Sequence, residues 1–496
     1  MKITRRRVLI MLWMAGLLTP CLWAVRLFLG RPTAVEVSAE TTFLVGEKLA
    51  DGSLDFSKAL YQHCNFPVDD SLNAAIGLMQ LPELPRVEDL YRIIHLGSGE
   101  PPAGYENDGA FRRSRLWDTG VREIRRTADR PWTAERFPTM AKVVAAEETL
   151  VLQWKAAVAK PRLVKPLGVT TDELRNVIVR GARILQRRAM LAAGEGRWDD
   201  AIDDLKSVDH AAELLAQLQC GWETYTACTI HHDVCRVVSS AVLNSTTVNP
   251  QFSAYIRERS EWPVHEVVAR AVDQAVRIHF QLAVRDCRER NSYLQWYVGG
   301  GLISNDAKAR ELQLTQIRNS IDWSTVSRIQ NEVVSEFVDA LGESEHDEYQ
   351  VKWNRAVDVF SDWNRNDLIE EVRMLDLSRI PERLGYALAN SSYETRVRGL
   401  HDRRDAVKLS QQASLTSLAI AEYRQQNGQF PDTLNQLPKA IRAGLKPYRT
   451  GQQDFRLERD ERSITLRSGD SRRSAWTFLI DSSNEADQPE SDNAVR

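Results

Sequence analysis

An uncharged apolar run from Val8 to Val25, preceded by Lys2 and Arg5-Arg6-Arg7, limits what the rest of the chain can be. Eighteen residues at about 1.5 Å rise nearly span a hydrocarbon layer of about 30 Å; Leu27, Phe28 and Leu29 extend the apolar length, and Arg26 can snorkel. The basic residues come first, so the positive-inside rule leaves the N-terminus in the cytoplasm. Residues 1–30 are therefore read as a cytoplasmic basic tip and a transmembrane signal-anchor. The chain would contact the inner (cytoplasmic) membrane through residues 8–29 and place its bulk on the periplasmic side. A cleaved secretory signal would need small residues soon after the apolar core, and Val37-Ser38-Ala39 stands about ten residues late. Thr4-Arg5-Arg6-Arg7-Val8-Leu9 fits a twin-arginine export motif, but Trp13, Trp23 and several Leu make the core more apolar than that route favours. Lipid attachment at Cys21 would require a small residue where Pro20 stands.

The first thirty residues hold five basic and no acidic groups, which leaves 60 basic against 68 acidic groups beyond them, a net charge of −8. No basic face is on offer for releasing counterions from a polyanion, so no nucleic-acid partner is expected. A chain of 496 residues has material for two to four domains. Cys64, Cys220, Cys228, Cys235 and Cys287 lie in the exported part, an odd number at wide spacing, which is not a disulfide framework.

Residues 31–168 read as a mixed, partly helical region. Asp69-Asp70-Ser71 before Leu72, Ala74, Ala75, Ile76 and Leu78 has the form of a capped helix start, and Gly97 to Gly104 is a loop whose paired prolines spoil a phosphate cradle. Thr133 is the expected N-cap of a helix running through Val143 to Val158, closed by an extended connector from Arg162 to Leu167. Residues 169–402 read as helix after helix. Leu174, Ile178, Ala182, Leu185, Ala189 and Ala192 recur on one face, Gly194-Glu195-Gly196-Arg197 breaks the pattern, and Trp198-Asp199-Asp200 opens the next helix with acids at its positive end. This pair is similar to one tetratricopeptide repeat, but no second copy follows at about 34 residues, so the expectation is an irregular helical-hairpin stack.

Cys228, His231 and Cys235 project from one side of a helix and are ligand types suited to zinc or copper. They also border the stripe of Ala227, Ile230, Val234, Val237 and Ala241, where small thiols are ordinary packing residues. Packing is the preferred reading and no metal or cofactor is expected. A Cys228 to Cys235 bridge is excluded by about 10 Å of separation along one helix. His265-Glu266 lacks the second histidine of a metalloprotease helix, and neither a Gly-x-Ser-x-Gly elbow nor a Walker loop occurs. Glu370, Glu371 and Asp376 read as a solvated face, and Trp296, Tyr297 and Gly299-Gly300-Gly301 as a helix ending at a turn. The catalytic residues, if there are any, are unknown at this level.

Residues 403–480 differ in texture. A helix with Leu409, Ala413, Thr416, Ile420 and Tyr423 on one face leads through Gly428-Gln429-Phe430-Pro431 to strand candidates Phe455 to Glu458, Ser463 to Arg467 and Ala475 to Ile480. This order resembles the globular part of type II secretion pseudopilins, without their N-terminal processed helix. Residues 481–496 carry five acids, one Arg and no large apolar side chain, as a disordered tail would.

Several segments in fixed order resemble an uncharacterised family of large planctomycete envelope proteins: Val68 to Ala75, Trp132 to Pro138, Lys160 to Leu167, Arg188 to Leu191 with Gly194-Glu195-Gly196, Ile321-Asp322-Trp323 with Asn331, and Ala421 to Arg424 with Gly428, Phe430 and Pro431. The resemblance implies an envelope location and no reaction. The expectation is thus a mainly α chain with an N-terminal transmembrane helix, an irregular TPR-like stack and a small C-terminal α+β pilin-like module. It would serve as a scaffold or protein-interaction module with a protein partner; an exported hydrolase is the alternative.

Overall fold

The computed structural model describes residues 68–82, 123–165, 171–302, 306–441 and three strands, with short breaks inside these ranges. The expected membrane segment, the Gly97 to Gly104 loop, Cys64, Cys220 and the acidic tail lie outside the described residues. Among the described residues the fold is mainly α-helical, and no helix is long and apolar enough to cross a membrane. Contacts divide the chain into two units: one built on His265–His401, the other on Pro67–Leu218, Trp222–Val264 and Asp402–Arg496. The partition expected from sequence is linear, whereas these units interleave.

The second of these units begins with α1 (Ala74–Met79), α2 (Pro138–Ala146) and α3 (Glu148–Val158), followed by α4 (Thr171–Gly194), α5 (Trp198–Gln217), α6 (Gly221–Asn244) and α7 (Pro250–Ser260). Asp69 accepts from the Ser71 amide and holds only a short 3-10 turn; the cap of α1 is Asn73, whose Oδ1 accepts from the Ala75 amide at 3.1 Å and the Val164 amide at 3.0 Å. One side chain thereby starts a helix and pins the Arg162 connector. Thr133 likewise closes a turn, accepting from the Arg136 amide, while the helix starts at Pro138, whose missing N–H costs nothing in the first turn. The expected single helix divides at Glu147 into α2 and α3.

α4 buries all six residues of its expected face. The chain leaves it through Gly196 at φ 77°, with the Arg197 amide donating to Ala192 O at 2.8 Å and the Gly196 amide to Ala193 O at 3.2 Å. That pair of bonds is a Schellman ending, which reverses the chain and lays α5 antiparallel on α4. The hairpin is tied by Asp204, buried on α5, which accepts twice from Arg188 at 2.6 Å and once from Lys155 at 2.8 Å.

The other unit contains α8 (Val264–Ala271), α9 (Arg277–Glu289), α10 (Asn291–Val298), α11 (Ala307–Ser320), α12 (Trp323–Gly342), α13 (His346–Ser361), α14 (Arg365–Met374) and α15 (Ile380–Ser392). α12, capped by Asp322 on the Ser324 and Thr325 amides, packs against α9, α13 and α15. Gly299–Gly301 is a 3-10 turn, as expected. Single π-helical turns at Val272–Val276 and Tyr393–Val397 interrupt the helical run.

α16 (Arg398–Asn427) is one continuous helix, so the expected module boundary at residue 403 falls within it. Gly428 ends it at φ 76°, its amide donating to Arg424 O at 2.8 Å, and Phe430 then lies under the Arg424 guanidinium, 4.5 Å from ring centroid to Cζ. The strands β1 (Phe455–Arg459), β2 (Ser463–Ser468) and β3 (Ala475–Leu479) form an antiparallel meander with Leu457 opposite Leu466 and Leu466 opposite Trp476. Leu409 and Ala413 of α16 cluster with Leu466. Another side of the same helix meets α6, where Ser414 donates to Cys235 O at 3.1 Å and Arg424 to Leu243 O at 2.9 Å. A helix packed on two sides ties the small sheet to the stack.

Candidate functional site

Four helices converge on one buried guanidinium. α7 reads Phe252, Tyr255, Ile256, Arg259, an i, i+3, i+4, i+7 stripe that aims its last member inward, and Asn249 and Pro250 fix where that helix starts. α6 brings His231 and Cys235 one turn apart, α5 brings Asp209, and α16 brings Gln411 and Ser414. Arg259 Nε and Nη2 donate to the two Asp209 oxygens at 3.1 and 2.7 Å, and Nη1 lies 2.9 Å from Cys235 Sγ. Nη2 also donates to His231 O at 3.2 Å, and Tyr255 donates its hydroxyl to Asp209 at 2.5 Å. The His231 ring stacks on Trp262 at 4.3 Å between centroids, with Nδ1 3.5 Å from Asp209 Oδ1 and Nε2 3.4 Å from the Gln411 amide nitrogen. His231 is 2% exposed, Cys235 1% and Arg259 6%.

Burial favours the neutral form of each acid here, but Asp209 is held well below the usual carboxylate range by the charge of Arg259 and by hydrogen bonds from His231 and Arg259. The same burial, joined by the Asp209 charge, pushes the Tyr255 hydroxyl well up, so it remains a donor. Cys235 follows Asp209: burial alone would raise it, yet Arg259 and His231 bring it below an ordinary thiol. Cys228, also buried, is pushed up to about 12 by that burial, with Arg403 only partly opposing. His232, on the other side of α6, falls to about 4 through burial and the charges of Arg236 and Arg403.

Of the three sequence candidates, His231 and Cys235 both meet Arg259, whereas the Cys228 thiol, two turns before Cys235 on α6, is not among that guanidinium's partners. Among the described residues no group of three His, Cys, Asp or Glu side chains is set to hold a metal ion. Asp209, His231 and Cys235 do face a common point, but the cation there is the Arg259 guanidinium. Asp209, Tyr255, Arg259 and Gln411 were not singled out from the sequence; the legible hint was a charge in line with an apolar stripe on α7. Elsewhere, Glu370 is exposed and pairs with Arg373, whereas Glu371, expected on a solvated face, is largely buried and pairs with Arg383; Asp376 lies outside the described residues. A depression of about 490 Å³ in the 265–401 unit is lined by Glu266, Arg270, Asp339, Glu343 and Lys352, with Lys352 bridging Asp339 and Glu343 at 3.2 and 3.1 Å. No family model, curated protein or solved structure matches this chain.

Proposed function

We propose that the chain is a single-pass protein of the cell envelope, held in the inner membrane through residues 8–29, whose helical body acts outside the cytoplasm as a non-catalytic scaffold for a protein partner. The observation that carries this reading is the inward direction of its best-built polar cluster. Arg259 spends its donors on Asp209, His231 and Cys235; Arg259, His231 and Cys235 have almost no surface left for a substrate, and the Asp209 side chain keeps 15% of its surface. Exposed aromatic side chains add to it: Trp222 is 65% and Trp296 59% exposed, and such rings are the usual anchors of protein interfaces. In this reading α4 and α5 are a TPR-like hairpin, and α16 with its sheet a pilin-like unit.

A second reading, an exported hydrolase, draws on the thiol, imidazole and carboxylate of Cys235, His231 and Asp209. Arg259 lies among the three and blocks the approach that a nucleophile needs. Protease added to spheroplasts should digest the body while the N-terminal fragment stays with alkali-washed membranes; a soluble form starting near Glu40 overturns the anchored reading. Hydrolysis of model esters or peptides by the purified protein, abolished by Cys235→Ala, would overturn the non-catalytic one.

A further inference from the structure

We propose that two copies of this chain pair through β3, antiparallel and centred on Thr477, and so join their sheets into one. The sheet has two unlike edges. Its strand order is β1, β2, β3, and among the described residues β3 pairs with β2 alone. The β1 edge carries Arg456 and Glu458, both exposed, and Arg459, and charges along an edge are a usual defence against the addition of another strand. The β3 edge has no such defence. Ala475-Trp476-Thr477-Phe478-Leu479 contains no charge, no proline and no glycine, and Trp, Thr and Phe are among the residues that strands favour. An uncharged edge of that kind is a template for a further strand, because alternate residues turn their N–H and C=O groups outward.

The order of residues about Thr477 selects a second copy as that strand. Antiparallel copies related by a two-fold axis at Thr477 set Thr477 against itself, Trp476 against Phe478 of the other copy and Ala475 against Leu479. Aromatic pairs and Thr–Thr pairs are cross-strand partners that stabilise antiparallel sheets. Charge agrees with the same axis: Arg473 and Asp481 each stand four positions from Thr477, so this register brings each to its opposite in the other copy. An in-register parallel pairing would set like beside like. The faces of the sheet continue across the axis. Leu466 lies opposite Trp476 and Ile464 opposite Phe478, and antiparallel partners share a face, so positions 476 and 478 belong to the side on which Leu466 meets Leu409 and Ala413 of α16. Position 477 belongs with Thr465 to the other side. The joined sheet runs β1, β2, β3, β3, β2, β1, so both its outer edges are the charged β1 and the pairing closes at two copies.

Cysteine cross-linking of the full-length protein in detergent tests the register. Directly opposed residues of antiparallel strands have Cα atoms about 4.5 to 5.5 Å apart, within the reach of a disulfide. Thr477→Cys, oxidised with copper phenanthroline, should therefore give a disulfide-linked dimer severalfold above the wild-type background, with the cross-link located at position 477 by mass spectrometry. Ala475→Cys alone should stay at that background, because the two copies of position 475 are about 14 Å apart, and adding Leu479→Cys should produce the dimer. Light scattering should give the mass of two chains for the wild type and of one for Thr477→Lys, which sets two ammonium groups against each other, with circular dichroism checking that this variant is folded. Asp481→Arg should lower the dimer fraction severalfold, and Arg473→Asp in the same chain should recover it. No dimer above background from Thr477→Cys, an equal yield from Ala475→Cys alone, or a dimer formed instead through Leu457→Cys on β1 overturns the proposal. So does a folded Thr477→Lys protein that keeps the mass of two chains; should that variant not fold, the cross-linking pattern decides.

Discussion

Two junctions, one in each unit, are closed by opposite means. Where α5, α6, α7 and α16 meet, the centre is charged, with Arg259 clamped by Asp209 and lined by His231, Cys235 and Tyr255. In the 265–401 unit one junction is aromatic: Phe337 of α12 stacks on Tyr393 at 5.1 Å and meets Trp353 of α13 at 5.3 Å, and Trp353 lies 3.9 Å from His401. A charged centre is fixed by direction, since each donor needs its acceptor; an aromatic centre is fixed by volume. The two should therefore fail differently when residues are removed.

The largest effect is expected at Arg259. Removing one partner of a buried pair leaves the other uncompensated, so Arg259→Ala should cost about 3 to 5 kcal/mol. Urea unfolding followed by circular dichroism measures it. Pairing Arg259→Met with Asp209→Leu should recover much of the loss, because a well-packed apolar replacement of an ion pair is often neutral. Trp353→Ala should cost a similar amount, about 3 to 5 kcal/mol, by opening a cavity, and truncating Phe337 as well should deepen the loss. If the Arg259 and Asp209 double variant is no better than its worse single, the charged centre is held by volume too and the contrast fails.

Acid separates the two further. Asp209 has its folded-state value depressed below the unfolded one, so its contribution is fully present above the unfolded carboxylate value near about 4 and is lost only as pH falls through the lower folded value. Asp209→Asn should flatten that acid limb of the stability curve, whereas Trp353→Ala should lower the whole curve without changing its slope. A parallel shift in both variants would mean that Asp209 is not the residue protonating.

Much of the frame was readable from the chain, and the charged centre was not. The α4 face from Leu174 to Ala192, the glycine ending of α16 and the strand positions follow from periodicity and turn chemistry within one segment. The cluster joins positions 209, 231, 259 and 411, which no local period relates. Cys228 and Cys235 drew attention by sharing a motif, yet only Cys235 meets the cation, because that choice is made by α7 approaching from elsewhere in the chain. Thr133 and Asp69 cap short turns rather than the helices that follow, since Asn73 just downstream is the cap of α1 and Pro138 suits the first position of α2.

Next in size come single rings. Phe430→Ala should cost about 3 kcal/mol, the lower end for an aromatic, since one face of the ring is covered by Arg424 rather than by apolar side chains. Because α16 also packs on α6, this loss should appear in the same transition as that of Arg259→Ala; two separate transitions would mark the sheet as an independent module. His231→Ala should cost about 1 to 3 kcal/mol and leave metal content unchanged. Stoichiometric zinc or copper lost on that substitution would return the trio to metal chemistry.

The smallest expected effect compares two glycines. Gly196 turns α4 into α5 and Gly428 turns α16 toward the sheet, at φ 77° and 76°, and a Cβ at either would meet nothing within 4 Å. With steric contact absent from both, an alanine should report only the cost of left-handed backbone, about 1 kcal/mol at each site. Asparagine, which tolerates that conformation better, should cost less at both. Equal losses would mean that the two turns differ in nothing but sequence position. A distinctly larger loss at Gly428 would show that displacing this turn also moves Phe430 and the Arg424 guanidinium above it, so that the small sheet depends on a single residue's backbone angle in a way that the α4 and α5 hairpin, tied independently through Asp204, does not.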